Sequence, residues 1–166
     1  MTPSLRFAEW LASLAPELSP PEQLHALAAF DGGQLLTGRW NLGALYLLPE
    51  LREARLASFW TERERLRLHY LRFSVATAAE FHAGAPTAVD PLGPDAADLP
   101  FRLVEALVNI RAAAPAEPVE RSTTLPAHVA DAGLRVLGVP GTAIPRVREH
   151  TRALLARHDG HEPMGL

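Results

Sequence analysis

The residues of this chain best suited to chemistry lie near its C-terminus, in Leu137–Arg157, LGVPGTAIPRVREHTRALLAR. A Gly138-Val139-Pro140-Gly141 turn leads into a segment carrying Arg146, Arg148, Arg152 and Arg157 with His150. Glycines let backbone approach a partner closely, and the free N–H groups that open a helix suit a phosphate. Arginines nearby add the salt-sensitive attraction of a polyanion. With Arg135 included, Leu134–Arg157 holds five arginines against one glutamate, Glu149. The pattern points to Arg135, Gly138, Gly141, Arg146, His150 and Arg157 as a nucleic-acid contact, with RNA the first expectation. The plainer alternative is a last helix whose arginines are simply solvated.

A second cluster sits in FWTERERLRLHY, Phe59–Tyr70. At helical spacing Arg63 falls inside an apolar stripe between Phe59, Leu66 and Tyr70, and Arg67 comes near Trp60. A charge in a core must be paired. Arg63, Arg67, Trp60 and Tyr70 therefore mark an ion-pair or anion site. The partner is a carboxylate such as Glu105, Glu9 or Glu17, or a ligand anion stacked among the aromatics. Glu53, Glu62, Glu64 and Arg65 read as an ordinary charged helix face.

Catalytic chemistry has little to stand on. No cysteine is present, which excludes disulfides, thiolate zinc sites and cysteine nucleophiles. His69 and His82 are 13 positions apart, not a chelating interval. His150 and His158 are eight apart on one segment and could face one cavity, and His161 and Glu162 follow in the tail. A histidine-dependent metal enzyme on a helical bundle is the least favoured of three readings. No metal ligand set and no cofactor is assigned. Gly-x-Ser-x-Gly, Walker and dinucleotide motifs are absent, and Ser122-Thr123-Thr124 reads as a polar loop capping a helix. A non-catalytic binding module comes first, and a protein-interaction or oligomerisation scaffold second.

Asp131–Leu155, DAGLRVLGVPGTAIPRVREHTRALL, resembles the C-terminal helical pair of the tRNA nucleotidyltransferase and poly(A) polymerase superfamily. The matching positions are Leu134, Leu137, Gly138, Val139, Pro140, Gly141, Ile144, Val147 and Leu154. The resemblance implies an all-helical body that contacts RNA. The chain departs from that pattern in its Asp131-Ala132-Gly133-Leu134 order and in Pro145, where the family has a second glycine. It has no glycine-rich strand-turn with an Asp-x-Asp pair, so no transfer chemistry is carried over.

The elements that would hold these residues are helices. Ala and Leu dominate and β-branched residues are sparse, which favours helix. The reading is all-α: a single domain, 1–166, of six or seven helices around one long central helix. Thr2-Pro3 opens the first helix. Ser19-Pro20-Pro21 opens the second, which ends at Asp31-Gly32-Gly33, and a short helix follows from near Thr37. Glu50–His82 lacks Gly and Pro across 33 residues and is the central helix. It has one apolar stripe through Leu56, Phe59, Leu66, Tyr70, Phe73, Thr77 and Phe81 and a second through Ala57, Leu68, Leu71, Val75 and Ala79. A helix apolar on two sides belongs in the middle of a bundle. Residues 84–98, rich in Pro, Gly and Asp, read as a hinge or long loop. A helix over Leu99–Ala114, a second loop over Pro115–Leu125 and two terminal helices complete the chain.

All 16 positive charges are arginine, first of all the mark of a GC-rich bacterial genome. The net charge of −3 argues against a strongly basic surface but leaves room for a local patch. Self-association or a protein partner is the alternative to nucleic acid. The first ten residues carry Arg6 and Glu9, and no apolar run of about 20 residues occurs. The cytoplasm is the expected compartment, with no membrane partner.

Overall fold

A computed structural model describes residues 2–15, 17–37, 57–82, 94–113 and 119–159. Among the described residues the fold is all-α. The helices are α1 (Pro3–Ser13), α2 (Pro20–Thr37), α3 (Ala57–His82), α4 (Pro94–Glu105), α5 (Leu107–Ala113), α6 (Val119–Val136) and α7 (Ile144–Asp159).

The hub is α2, not the long helix. Pro21, Gln23, Leu24, His25, Ala26, Leu27, Ala28, Asp31, Gly32 and Leu35 are all buried, and α2 packs against every other described helix. It opens with the glutamate half of a capping box: Glu22 accepts from the Ser19 N–H at 2.9 Å and from the Ser19 hydroxyl at 2.7 Å. It does not stop at Gly32-Gly33, as the sequence leads one to expect. The helix runs on through both glycines, and at Gly32 a neighbour needs the space. A Cβ at Gly32 would lie 2.9 Å from Leu107 Cδ1 and 3.2 Å from Pro126 Cβ. Gly32 is therefore a helix-crossing residue, not a terminator. The short helix expected beyond Thr37 lies outside the described residues.

The long helix α3 lies to one side. The middle of its first stripe is buried, with Leu66, Tyr70, Phe73, Ser74 and Thr77 turned inward, while Phe59 and Phe81 are half-buried and Leu56 lies outside the described residues. Its second stripe is not: Leu68 is 51% and Val75 55% exposed. This face lacks cover among the described residues, and the mid-bundle position expected for α3 is filled by α2.

Two expected loops are partly helical. Residues 94–98 belong to α4, and the rest of the 84–98 loop lies outside the described residues. Pro94 and Asp95 open α4 as first-turn residues that tolerate proline and favour acid. Ser122-Thr123-Thr124 sit inside α6, which begins at Val119 and takes Pro126 into its body. The expected 99–114 helix is broken at Ala106, whose N–H still reaches Arg102 O at 3.0 Å before α5 begins. Gly133 brings α6 against α4, where an added Cβ would lie 3.3 Å from Pro100 Cβ.

Candidate functional site

The Gly138–Gly141 turn is built first of all as a helix stop. Gly138 takes φ +81°, the left-handed region that favours glycine. The Gly138 N–H donates to Arg135 O at 3.0 Å and the Val139 N–H to Leu134 O at 3.1 Å. With Val139 and Leu134 both buried, this is a complete Schellman cap on α6. Its glycine is also covered: an added Cβ would lie 2.7 Å from His82 Nε2, the same nitrogen that lies 3.3 Å from Leu137 O. The backbone that was expected to meet a phosphate at Gly138 meets His82 instead. Gly141 remains open, with nothing within 4 Å of an added Cβ.

The helical period puts Ile144, Val147, Thr151, Leu154 and Leu155 on the inner face of α7; the first four are buried and Leu155 is half-buried. The outer face is mixed in charge. Arg146, His150 and Arg157 are exposed and border a groove of about 800 Å³ that Glu17, Glu22 and Glu80 also line. His150 Nδ1 lies 2.5 Å from Glu22 Oε1. Burial alone would raise the Glu22 carboxyl, but the hydrogen bonds from His150 and Ser19 outweigh it and hold the group below the usual range. Arg135 is exposed on the last turn of α6 and lies outside this groove. The six expected contact residues thus form one partial cluster, Arg146, His150 and Arg157, with carboxylates among them.

Arg148 has a different fate. Its guanidinium grips Asp131 through Nε at 3.3 Å and through Nη2. The same carboxylate lies 3.1 Å from His25 Nε2, and both His25 and Asp131 are 1% exposed. Burial would raise Asp131, but Arg148 and His25 hold it low; burial pushes His25 below its ordinary value despite the Asp131 bond. His25 is therefore neutral near pH 7, its Nε2–H donating to Asp131. Sequence reading missed this triad because its members come from α2, α6 and α7. The one available signal was an Asp at an inward position between Ala130 and Leu134.

Arg63 is paired as its position requires, and with Glu105, the first-named candidate. Its guanidinium carbon lies 5.6 Å from the Trp60 ring and 5.1 Å from Phe101. Arg67 Nη1 binds Asp98 at 2.9 Å and Arg67 Nη2 binds Glu64 at 2.8 Å, while Arg102 bridges Asp98 at 2.8 Å and Glu105 at 3.1 Å. Three arginines and three carboxylates alternate along the α3–α4 seam and cancel. The arrangement needs no ligand anion. Tyr70 takes no part: its hydroxyl donates to Asp31 Oδ2 at 3.0 Å. Glu9 pairs instead with Arg65 at 2.7 Å, and Glu62 accepts the Thr2 N–H at 2.7 Å. Glu53 lies outside the described residues.

His158 packs among Phe7, Trp10 and Phe30, with ring centroids 4.8, 5.1 and 5.6 Å away, while His150 sits on Glu22. Among the described residues no three His, Asp or Glu side chains converge as a metal would need. His161 and Glu162 lie outside them. No described helix is long and apolar enough to cross a membrane.

No family model and no curated protein matches the chain. A solved structure does: the crystal structure of Mycobacterium smegmatis AmtR shares 38% identity with it at a TM-score of 0.73. The match covers 92% of this chain and 66% of AmtR, so the chain spans just under two thirds of that protein's length.

Proposed function

We propose that this chain is a non-catalytic helical module of a nucleic-acid-binding regulator, with duplex DNA rather than RNA as its ligand class. The likeness to AmtR carries the reading, since AmtR is a DNA-binding transcriptional regulator. Arg146, Arg157 and the open Gly141 are the contact residues proposed within this chain. The RNA expectation rests on the Asp131–Leu155 resemblance, whose Leu-Gly-x-Pro-Gly core is accounted for by a helix cap. The test titrates the protein with duplex DNA, single-stranded DNA and structured RNA at two salt concentrations. Salt-sensitive preference for the duplex supports the proposal, and preference for RNA overturns its ligand class. Arg146→Ala/Arg157→Ala is expected to fold normally and to flatten the salt slope by about two phosphate contacts. An unchanged slope would remove α7 from the contact.

A second role, self-association, is favoured by a separate observation. Leu99, Leu103, Ala106 and Ile110 follow at i, i+4, i+7 and i+11 on the outer side of α4 and α5. Leu125, Val129, Ala132 and Val136 repeat that interval on α6. All are exposed or half-buried, and both rows flank the Pro100–Gly133 contact. AmtR acts as a dimer, and an apolar face of two such rows is the shape that a second copy would cover. Ile110→Glu with Val136→Glu is expected to yield a monomer in sedimentation analysis where the parent is a dimer. A parent that sediments as a monomer at micromolar concentration would end this reading.

A further inference from the structure

A second cavity, of about 480 Å³, opens between α2, α6 and α7, away from the groove of Arg146 and Arg157. It exists because the facing side chains are small: Ala29 and Gly33 on α2, Ala127 on α6 and Ala156 on α7. A Cβ added at Gly33 would meet nothing within 4 Å. Among the described residues two polar atoms just behind its lining have no hydrogen-bond partner and are buried, His25 Nδ1 and the Thr151 hydroxyl. Leaving such atoms unpaired costs about 1–3 kcal/mol each, so a polar group entering from the cavity that reached them would gain by pairing with them. Two cations stand at the rim. Arg148 spends part of its fork on Asp131 and keeps 36% of its side chain exposed, and Arg152, one position beyond Thr151, is exposed.

The chemistry of these groups defines the ligand. His25 gives Nε2–H to Asp131, which leaves Nδ1 as a bare lone pair, able only to accept. The matching ligand atom must donate, as a hydroxyl or an amino N–H does. The Thr151 hydroxyl accepts or donates beside it. Asp131 cancels one of the two arginines, leaving one net positive charge for an anionic group. From this geometry we infer that the α2–α6–α7 cavity binds a small carboxylate that carries a hydroxyl or amino donor, the donor facing His25 Nδ1 and Thr151 and the carboxylate facing Arg152 and the free side of Arg148. The inference is independent of what the chain contacts elsewhere.

Calorimetric and thermal-shift titrations of the whole chain with two matched pairs test it: L-malate against succinate, and L-glutamate against glutarate. At least one donor-bearing probe is expected to bind and raise the melting temperature, and its partner lacking the donor to bind at least about tenfold more weakly. Thr151→Val keeps the volume and removes the hydroxyl, and is expected to fold with unchanged or higher stability while losing part of that discrimination, His25 Nδ1 remaining as an acceptor. Arg152→Ala is expected to weaken both members of the pair. Equal binding within each pair would mean general anion attraction and overturn the inference. So would undiminished discrimination in Thr151→Val, or no binding of either donor-bearing probe at about 10 mM, which is weaker than a built site requires.

Discussion

Two adjacent glycines on α2 show how much a single Cβ decides. Gly33 is an interior helix residue with open space where a methyl would go, so Gly33→Ala is expected to stabilise by about 0.5–1 kcal/mol through helix propensity alone. Gly32→Ala gains the same propensity but drives its methyl to 2.9 Å from Leu107 Cδ1. It is expected to destabilise by about 1–3 kcal/mol as that crossing opens. Urea midpoints of the two variants should move in opposite directions; a shift of the same sign would mean that α2 does not pack on α5 and α6 as described. Asp31, three turns into α2, is another residue whose surroundings decide its chemistry. Burial pushes its carboxyl up to about 6, against the opposing hydrogen bonds from Ser4 and Tyr70. The folded state therefore holds a proton that the unfolded chain releases near 3.8, and this group's contribution is greatest at low pH. It fades as pH rises to about 6, by about 3 kcal/mol at about 1.4 kcal/mol per pKa unit. The stability difference between the parent and Asp31→Asn should accordingly change between pH 4.5 and 7. Comparing the two proteins removes the opposite trend from depressed carboxyls such as Asp131. A constant difference would place the Asp31 titration elsewhere.

Among the elements, α3 and α4 are joined by charge where most neighbours are joined by apolar contact. Glu105→Gln is expected to destabilise by about 1–3 kcal/mol, since it leaves the half-buried Arg63 short of its carboxylate. Arg63→Met with Glu105→Gln should recover part of that loss, the mark of a coupled pair in a double-mutant cycle. Additive losses would show the pair to be independent. The Arg63 pairing was legible in sequence because a charge inside the Phe59–Tyr70 stripe has to be answered. The inner face of α7 was legible for the same reason of period: Ile144, Val147, Thr151 and Leu154 fall on one side of a 3.6-residue repeat. Helix ends were less so. Gly32, Pro100 and Pro126 are all residues that break helices locally, and all lie within helices with another helix packed against them: Gly32 on Leu107 and Pro126, Pro100 on Gly133. Signals for loops and signals for close helix crossings use the same residues, and sequence does not separate them. The His25–Asp131–Arg148 triad was invisible for a stronger reason: its members are 106 and 17 positions apart and meet only through packing.

For the whole molecule, the mixed charge of the α7 groove bears on the polyanion reading. Glu17, Glu22 and Glu80 stand beside Arg146 and Arg157, so affinity through this surface alone should be modest and steeply lost with salt. Removing one of those acids tests the point. Glu80→Gln is expected to raise nucleic-acid affinity by a fewfold at low salt and to leave the melting temperature unchanged, because Glu80 is exposed. No change in affinity would place the contact away from this groove.

The hub position of α2 has a consequence for how this body comes apart. A peripheral helix such as α7 can detach while the remaining helices stay folded, so its amides can exchange with solvent through local opening. The amides of α2 have no such route, because every other described helix rests on it. Their exchange waits for the whole body to open. The slowest-exchanging amides should therefore map to Leu24–Ala28 and report the global free energy directly, while those of α7 report only the cost of lifting one helix from its seat.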